Sequence, residues 1–135
     1  MPHLTVEYSS NLKRDGDIAG LMPKLARCLI DQRADGAPVY PIGGVRVRAY
    51  EAADYCIADG STDGGFVNAT LKIGGGRARE AVRATGDALF EVLKSHFATL
   101  YERQGLALSL YIDEVNEGGS WKHNNLHARL KRGAA

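Results

Sequence analysis

Leu4, Val6 and Tyr8 alternate with His3, Thr5 and Glu7, the period of a strand with one buried face, and predict a β-strand over residues 3–9. A three- and four-residue recurrence then takes over at Ile18, Leu21, Met22, Leu25 and Leu29. It predicts a helix over about 17–33, capped by Asp15 or Asp17, in which Pro23 is compatible only near the first turn. Alternation returns where Val45, Val47 and Ala49 interleave with Arg46, Arg48 and Tyr50, a second strand over about 44–51. A third strand is predicted over 66–73 and a fourth over 106–115. Between them the stripe of Leu89, Val92, Leu93, His96, Phe97 and Leu100 predicts one long helix over about 77–104, stopped by Gly105. Residues 52–65 read as turns, with room for a short strand at 55–58. Residues 116–120 read as a loop and 121–132 as a polar, basic tail.

This order is strand–helix–strand twice over. A crossover helix joins strands in parallel, so the expected class is α+β: two consecutive β-α-β units forming one four-stranded sheet with two helices on one face. The expected organisation is a single domain over 1–135, with halves at 1–51 and 66–115, a connection at 52–65 and a tail at 116–135. A sheet covered on one side leaves its other face in need of a partner, which predicts a homo-oligomer.

Composition narrows the functional classes. A formal net charge of +1 gives no global electrostatic case for nucleic acid or an acidic membrane surface. No run approaches the roughly 20 apolar residues of a membrane span, and the opening lacks the pattern of a signal peptide. Cys28 and Cys56 are too few and too far apart for a disulfide framework or a zinc site, which fits a reduced, cytoplasmic setting.

Candidate chemistry begins at Pro2. Within a chain its nitrogen is an amide, but removal of Met1 would turn it into a secondary amine. The reference pKa of an α-amino group is about 8, and burial lowers it toward the range useful to a general base. The bland alternative is an inert terminus. Arg46 and Arg48 share one face of the second strand, either as solvent-facing cations or as an anion clamp. Arg77 follows Gly74, Gly75 and Gly76 at a strand-to-helix junction, where an anion would be favoured. The same stretch also reads as a simple tight turn, and it lacks the third glycine of a dinucleotide loop. His96 reads as a satisfied core histidine. His123 and His127 would suit a metal only if both lay on one helix, and the tail cations read as oligomer-contacting or solvated.

Taken together these features resemble the tautomerase superfamily, and within it the 5-carboxymethyl-2-hydroxymuconate Δ-isomerases. The resemblance is carried by the segments at 2–7, 40–48, 70–77, 90–97 and 122–128, in order along nearly the whole chain. It implies a homotrimer, Pro2 as catalytic base and acid, and Arg46 and Arg77 as substrate-binding residues. It further implies a small polycarboxylate dienol as substrate, isomerised in homoprotocatechuate degradation without a cofactor. Rival expectations are a 4-oxalocrotonate-like tautomerase, a hydrolytic dehalogenase, or a non-catalytic anion-binding module of the same fold. The segment 31–39 is longer and more polar than the family pattern, which bears on substrate preference if it lies near the pocket.

Overall fold

A computed structural model describes residues 1–133. Its central feature is a four-stranded sheet in the order β4-β1-β5-β6, formed by β1 (His3–Ser9), β4 (Arg46–Ala52), β5 (Gly65–Gly74) and β6 (Leu106–Val115). β1 pairs with β4 in parallel and β5 with β6 in parallel, as each β-α-β half requires. The halves meet where β1 and β5 run antiparallel.

One face of the sheet is the core. Leu4, Val6 and Tyr8 of β1 lie opposite Leu71, Ala69 and Val67 of β5, and all six are buried. Onto them pack Leu21, Leu25 and Leu29 of α1 (Ile18–Ile30) and Leu89 and Leu93 of α2 (Arg79–His96). Both long helices therefore cover one face, as the pattern predicts. The opposite face carries rows of mainly polar side chains such as Arg48, Thr5, Thr70 and Tyr111. Tyr50 and Tyr111 on that face are 55% and 63% exposed.

Several boundaries differ from expectation. Asp17 is the helix cap, its carboxylate accepting from the Gly20 N–H at 3.2 Å. Pro23, however, is the sixth residue of α1 and lies in its second turn. It is tolerated because this stretch faces solvent, where water can satisfy the Ala19 carbonyl that Pro23 leaves without a donor. The predicted helix over 77–104 is two helices, α2 and α3 (Ala98–Arg103), interrupted at Phe97, whose ring is buried. The apolar phase continues through Phe97 and Leu100, so periodicity does not register the break.

Residues 31–39 form a small hairpin of β2 (Arg33–Ala34) and β3 (Ala37–Pro38). Asp35 and Gly36 between them both have positive φ, the twist that two-residue hairpins prefer. No strand forms at 55–58, which is turn and irregular backbone. The tail is more structured than expected. A 3-10 turn at Glu117–Gly119 leads through an extended segment into α4 (Leu126–Gly133), which packs against the 3-10 turn at Ile42–Gly44. Residues 134–135 of the predicted tail lie outside the described residues.

His96 is hydrogen-bonded as the core-histidine reading predicts, but it is half-buried at the edge of the core. Its Nε2 lies 2.8 Å from the Gly16 carbonyl and its Nδ1 3.1 Å from Lys24 Nζ, so it ties the end of α2 to the start of α1. An ammonium only donates, so Nδ1 accepts and Nε2 carries the proton.

Two substitutions test this packing. Pro23→Ala restores a donor to the Ala19 carbonyl and is expected to stabilise the protein by about 1–3 kcal/mol. A chemical-denaturation midpoint that is unchanged or lower would contradict the account of α1. At Gly43 an added Cβ would lie 2.7 Å from His127 Nδ1 and 2.9 Å from the His127 backbone nitrogen. Gly43→Ala should therefore push α4 off the 42–44 turn and speed amide exchange over 126–130 while the sheet stays protected. Unaltered exchange there would rule the contact out.

Candidate active site at the chain start

β1 is the inner strand of its half, so the register that buries Leu4 and Val6 also fixes where the chain begins. Pro2 is buried, and its carbonyl accepts from the Arg46 N–H at 3.0 Å. Gly44 lies against this end: an added Cβ there would sit 3.3 Å from Met1 Cγ and 3.5 Å from Pro2 Cδ. The glycines of the 42–44 turn thus allow the backbone to close around the terminus.

Met1 opens onto a cavity of about 500 Å³. Its walls come from strand ends (His3, Arg46, Lys72) and from the segment after β6, which contributes Trp121, Lys122 and Asn124. Pro2 in this chain is acylated by Met1, so the amine at the site is that of Met1. It stands in for the amine that a processed Pro2 would present one residue further in. Burial is the largest influence holding this amine below its usual value of 8.0, followed by the charges of Lys122, Arg77 and Arg46. An amine in this place favours its neutral, basic form.

His3 lies beside it on the open face. Arg48 Nη1 approaches His3 Nδ1 at 3.1 Å. A guanidinium only donates, so Nδ1 accepts and the ring carries its proton on Nε2. Burial, then Arg48 and Arg46, push its pKa below 6.5, which keeps the ring neutral at pH 7. Arg48 thus orients His3 and is not itself part of the cavity wall.

The two arginines carried forward from the sequence part company. Arg46 lines the cavity, with Nη1 donating to the Gly43 carbonyl at 3.0 Å and, among the described residues, its remaining donors uncommitted to other side chains. Arg77 does not line it. Its guanidinium donates to the Gly74 carbonyl at 2.9 Å and the Val39 carbonyl at 3.4 Å, and lies 4.8 Å over the ring of buried Tyr40. Tyr40 in turn donates to Thr85 Oγ1 at 3.0 Å. Arg77 acts on the amine through its field. It also lies outside α2, which begins at Arg79, two residues later than the sequence reading places the helix start, and it follows Gly76 at positive φ. The glycine run is a tight turn leaving β5, which pairs in parallel with β6 but antiparallel with β1, so the sheet is mixed, unlike the parallel sheet of a dinucleotide fold.

Periodicity missed the tail's part in this site. Asn124 donates to Met1 Sδ at 3.3 Å, while its Oδ1 accepts from the Leu126 N–H at 2.9 Å at the start of α4. Asparagine two residues ahead of a helix is a readable capping signal, but its neighbourhood to Met1 spans 123 residues of sequence. His123 lies in the extended segment and His127 on α4, so the pair does not share a helix face as a metal site would need. Among the described residues no cluster of three or more metal-ligating side chains occurs. The hairpin over 31–39 contributes nothing to the cavity wall.

Residues 2–130 match the family model for 5-carboxymethyl-2-hydroxymuconate isomerase. The chain is 40% identical over 131 residues to a 5-carboxymethyl-2-hydroxymuconate Delta-isomerase of Escherichia coli, covering 97% of this chain and all of that one. A crystal structure of a 5-carboxymethyl-2-hydroxymuconate isomerase from Deinococcus radiodurans R1 superposes with a TM-score of 0.87 at 46% identity, over 95% of this chain and 92% of that one. At 15% identity a macrophage migration inhibitory factor from Trichinella spiralis shares the fold, with a TM-score of 0.61 over 90% of this chain and 96% of that one. With its first strand, its glycine turns and every cavity-lining residue but Met1 inside the matched region, this chain belongs to the 5-carboxymethyl-2-hydroxymuconate isomerase family, enzymes of the tautomerase fold.

Proposed function

We propose that this protein isomerises 5-carboxymethyl-2-hydroxymuconate to its 2-oxo-3-ene isomer, with the Pro2 amine as the proton carrier once Met1 is removed. The observation that carries the reading is the terminal amine held below its usual pKa in a cavity walled by cations. The neutral amine takes the proton of the 2-hydroxyl group. Electrons move from oxygen through the conjugated chain, so C2 becomes a ketone, the C2–C3 double bond becomes C3–C4, and the C4–C5 π pair is released to C5. The prolinium then returns the proton at C5. Arg46 holds a carboxylate and stabilises the negative charge that builds on the conjugated oxygen, and His3 Nε2–H is placed as a neutral donor. Arg77 contributes to substrate binding by its charge, and also keeps the amine neutral. The substrate class, a polycarboxylate dienol, answers to the cavity's charge, and proton transfer between oxygen and carbon needs no cofactor. The place of the reaction is homoprotocatechuate degradation.

The exposed tyrosines of the sheet's open face support a partner there, and the likeness in fold to a fused 4-OT symmetric trimer supports a homotrimer in which the three sheets cover one another. Among the described residues no helix is long and apolar enough to cross a membrane, and Cys28 and Cys56 are free. Together with a diffusible substrate, these support a cytoplasmic enzyme with neither nucleic acid nor membrane as partner.

The decisive assay is ultraviolet decay of the dienol with protein whose Met1 has been removed, as checked by intact mass. Conversion above the buffer rate is expected, and protein retaining Met1 should be inactive. Pro2→Ala, processed to a primary amine, should lose about a hundredfold or more in kcat, the usual contribution of a positioned base. Equal turnover would refute the proline role. The base must be neutral, so kcat/KM should fall on acidification through the pKa of the Pro2 amine, which the burial and cations that lower the Met1 amine should lower too. Arg46→Gln removes a nearby positive charge, which raises that pKa and moves the acidic limb to higher pH. An unmoved limb would separate Arg46 from the amine.

A further inference from the structure

Three cavity residues stand side by side across three strands. The register pairs His3 of β1 with Arg46 of β4 on one side and with Lys72 of β5 on the other. Two strand spacings, about 10 Å, separate the backbone of the outer pair. His3 between them is neutral, so the row presents two positive charges with a hydrogen-bond donor at its middle. A third cation comes from outside the sheet, where the extended segment after the Glu117–Gly119 turn brings Lys122 to the same cavity.

Among the described residues Arg46, Lys72 and Lys122 form no ion pair, although Asp113 of β6 stands beside Lys72 in the strand register. No aspartate or glutamate lines the cavity. Among the described residues, ion pairs form at Lys13, Arg27 and Lys94, all on the outer surface. Three like charges around one cavity repel one another, and an anionic ligand relieves that repulsion.

We propose that Lys122, carried by the segment after β6, is the residue that recognises the carboxymethyl arm of the substrate, while Arg46 and Lys72 hold the two terminal carboxylates. This rests on the isomerase reading above and deepens it. A planar dienol lying across β1 meets the two sheet-borne cations with its ends. Its branch leaves the plane through a rotatable methylene group, and a point charge on a flexible stem suits a carboxylate of variable direction better than a rigid fork does. The segment is held in place by Asn124, whose Oδ1 accepts from the Leu126 N–H at the start of α4, and by α4 itself packed on the 42–44 turn. Selectivity for a third carboxylate is thereby assigned to a part of the chain separate from the sheet that carries the chemistry.

The test uses Met1-processed full-length protein and two substrates, the tricarboxylate dienol and the same dienol without its carboxymethyl arm. Lys122→Gln is expected to lower kcat/KM for the tricarboxylate by about ten- to a hundredfold, the scale of one charge-assisted contact, and for the dicarboxylate much less. Lys122→Arg should recover part of the preference, and Lys72→Gln should weaken both substrates together. Lys131→Gln, on α4 outside the cavity, controls for loss of one positive charge. Equal losses on both substrates for Lys122→Gln, or an unchanged preference, would overturn the assignment. If the wild-type protein converts neither dienol, the isomerase reading fails, and calorimetry still decides the role of Lys122. Propane-1,2,3-tricarboxylate should then bind the wild type more tightly than pentanedioate does, with that advantage lost in Lys122→Gln. An advantage that survives the substitution would reject it.

Discussion

The constraint on which the rest depends is the placement of β1. Its backbone is paired on both edges, in parallel to β4 and antiparallel to β5, and Leu4 and Val6 are fully buried beneath the helices. A slip of one residue in either register would turn this apolar set toward solvent and bring His3, Thr5 and Glu7 into the core. The first residues are thus held as firmly as the middle of the domain, against the usual tendency of a terminus to fray. A group attached at position 2 therefore has a fixed relation to Arg46 and Lys72.

That rigidity is what makes an ordinary functional group useful. An α-amino group in water is mostly protonated near neutral pH. Here burial disfavours its charged form, and three cations that meet around it add to the effect. The protein tolerates the repulsion because the rest of the fold is well satisfied. Among the described residues no buried side-chain nitrogen or oxygen lacks a hydrogen-bond partner. Even Arg77 has its guanidinium held by two carbonyls and an aromatic face, while its charge still reaches the amine. One cation is fixed by backbone groups, one by a turn carbonyl, and two lysines stay free to respond to a ligand.

Much of the fold was legible in the residues because burial imposes period. Leu4, Val6 and Tyr8 could only be a strand with one dry face, and the stripe from Ile18 to Leu29 could only be a helix. The two β-α-β halves followed from order. What the stripe concealed was the interruption at Phe97, where the buried side stays in phase across the break. The hairpin at 31–39 was readable in principle, since Asp35-Gly36 is a turn signature. It lay unread because its strands are two residues each and carry no alternation.

The chain by itself determined which residues are buried, which elements form, and that a proline waits behind the initiator methionine with an arginine-bearing strand to follow. Those are local properties, set by period, turn chemistry and the covalent character of proline. Only the tertiary structure decided which charges share the cavity. It drew in Lys72 and Lys122, set Arg77 behind the wall on Tyr40, and turned Arg48 toward His3. The reason is that charged side chains carry no period of their own. Their grouping depends on strand order, and on where a tail some 120 residues distant comes to rest, which the apolar core settles without reference to them.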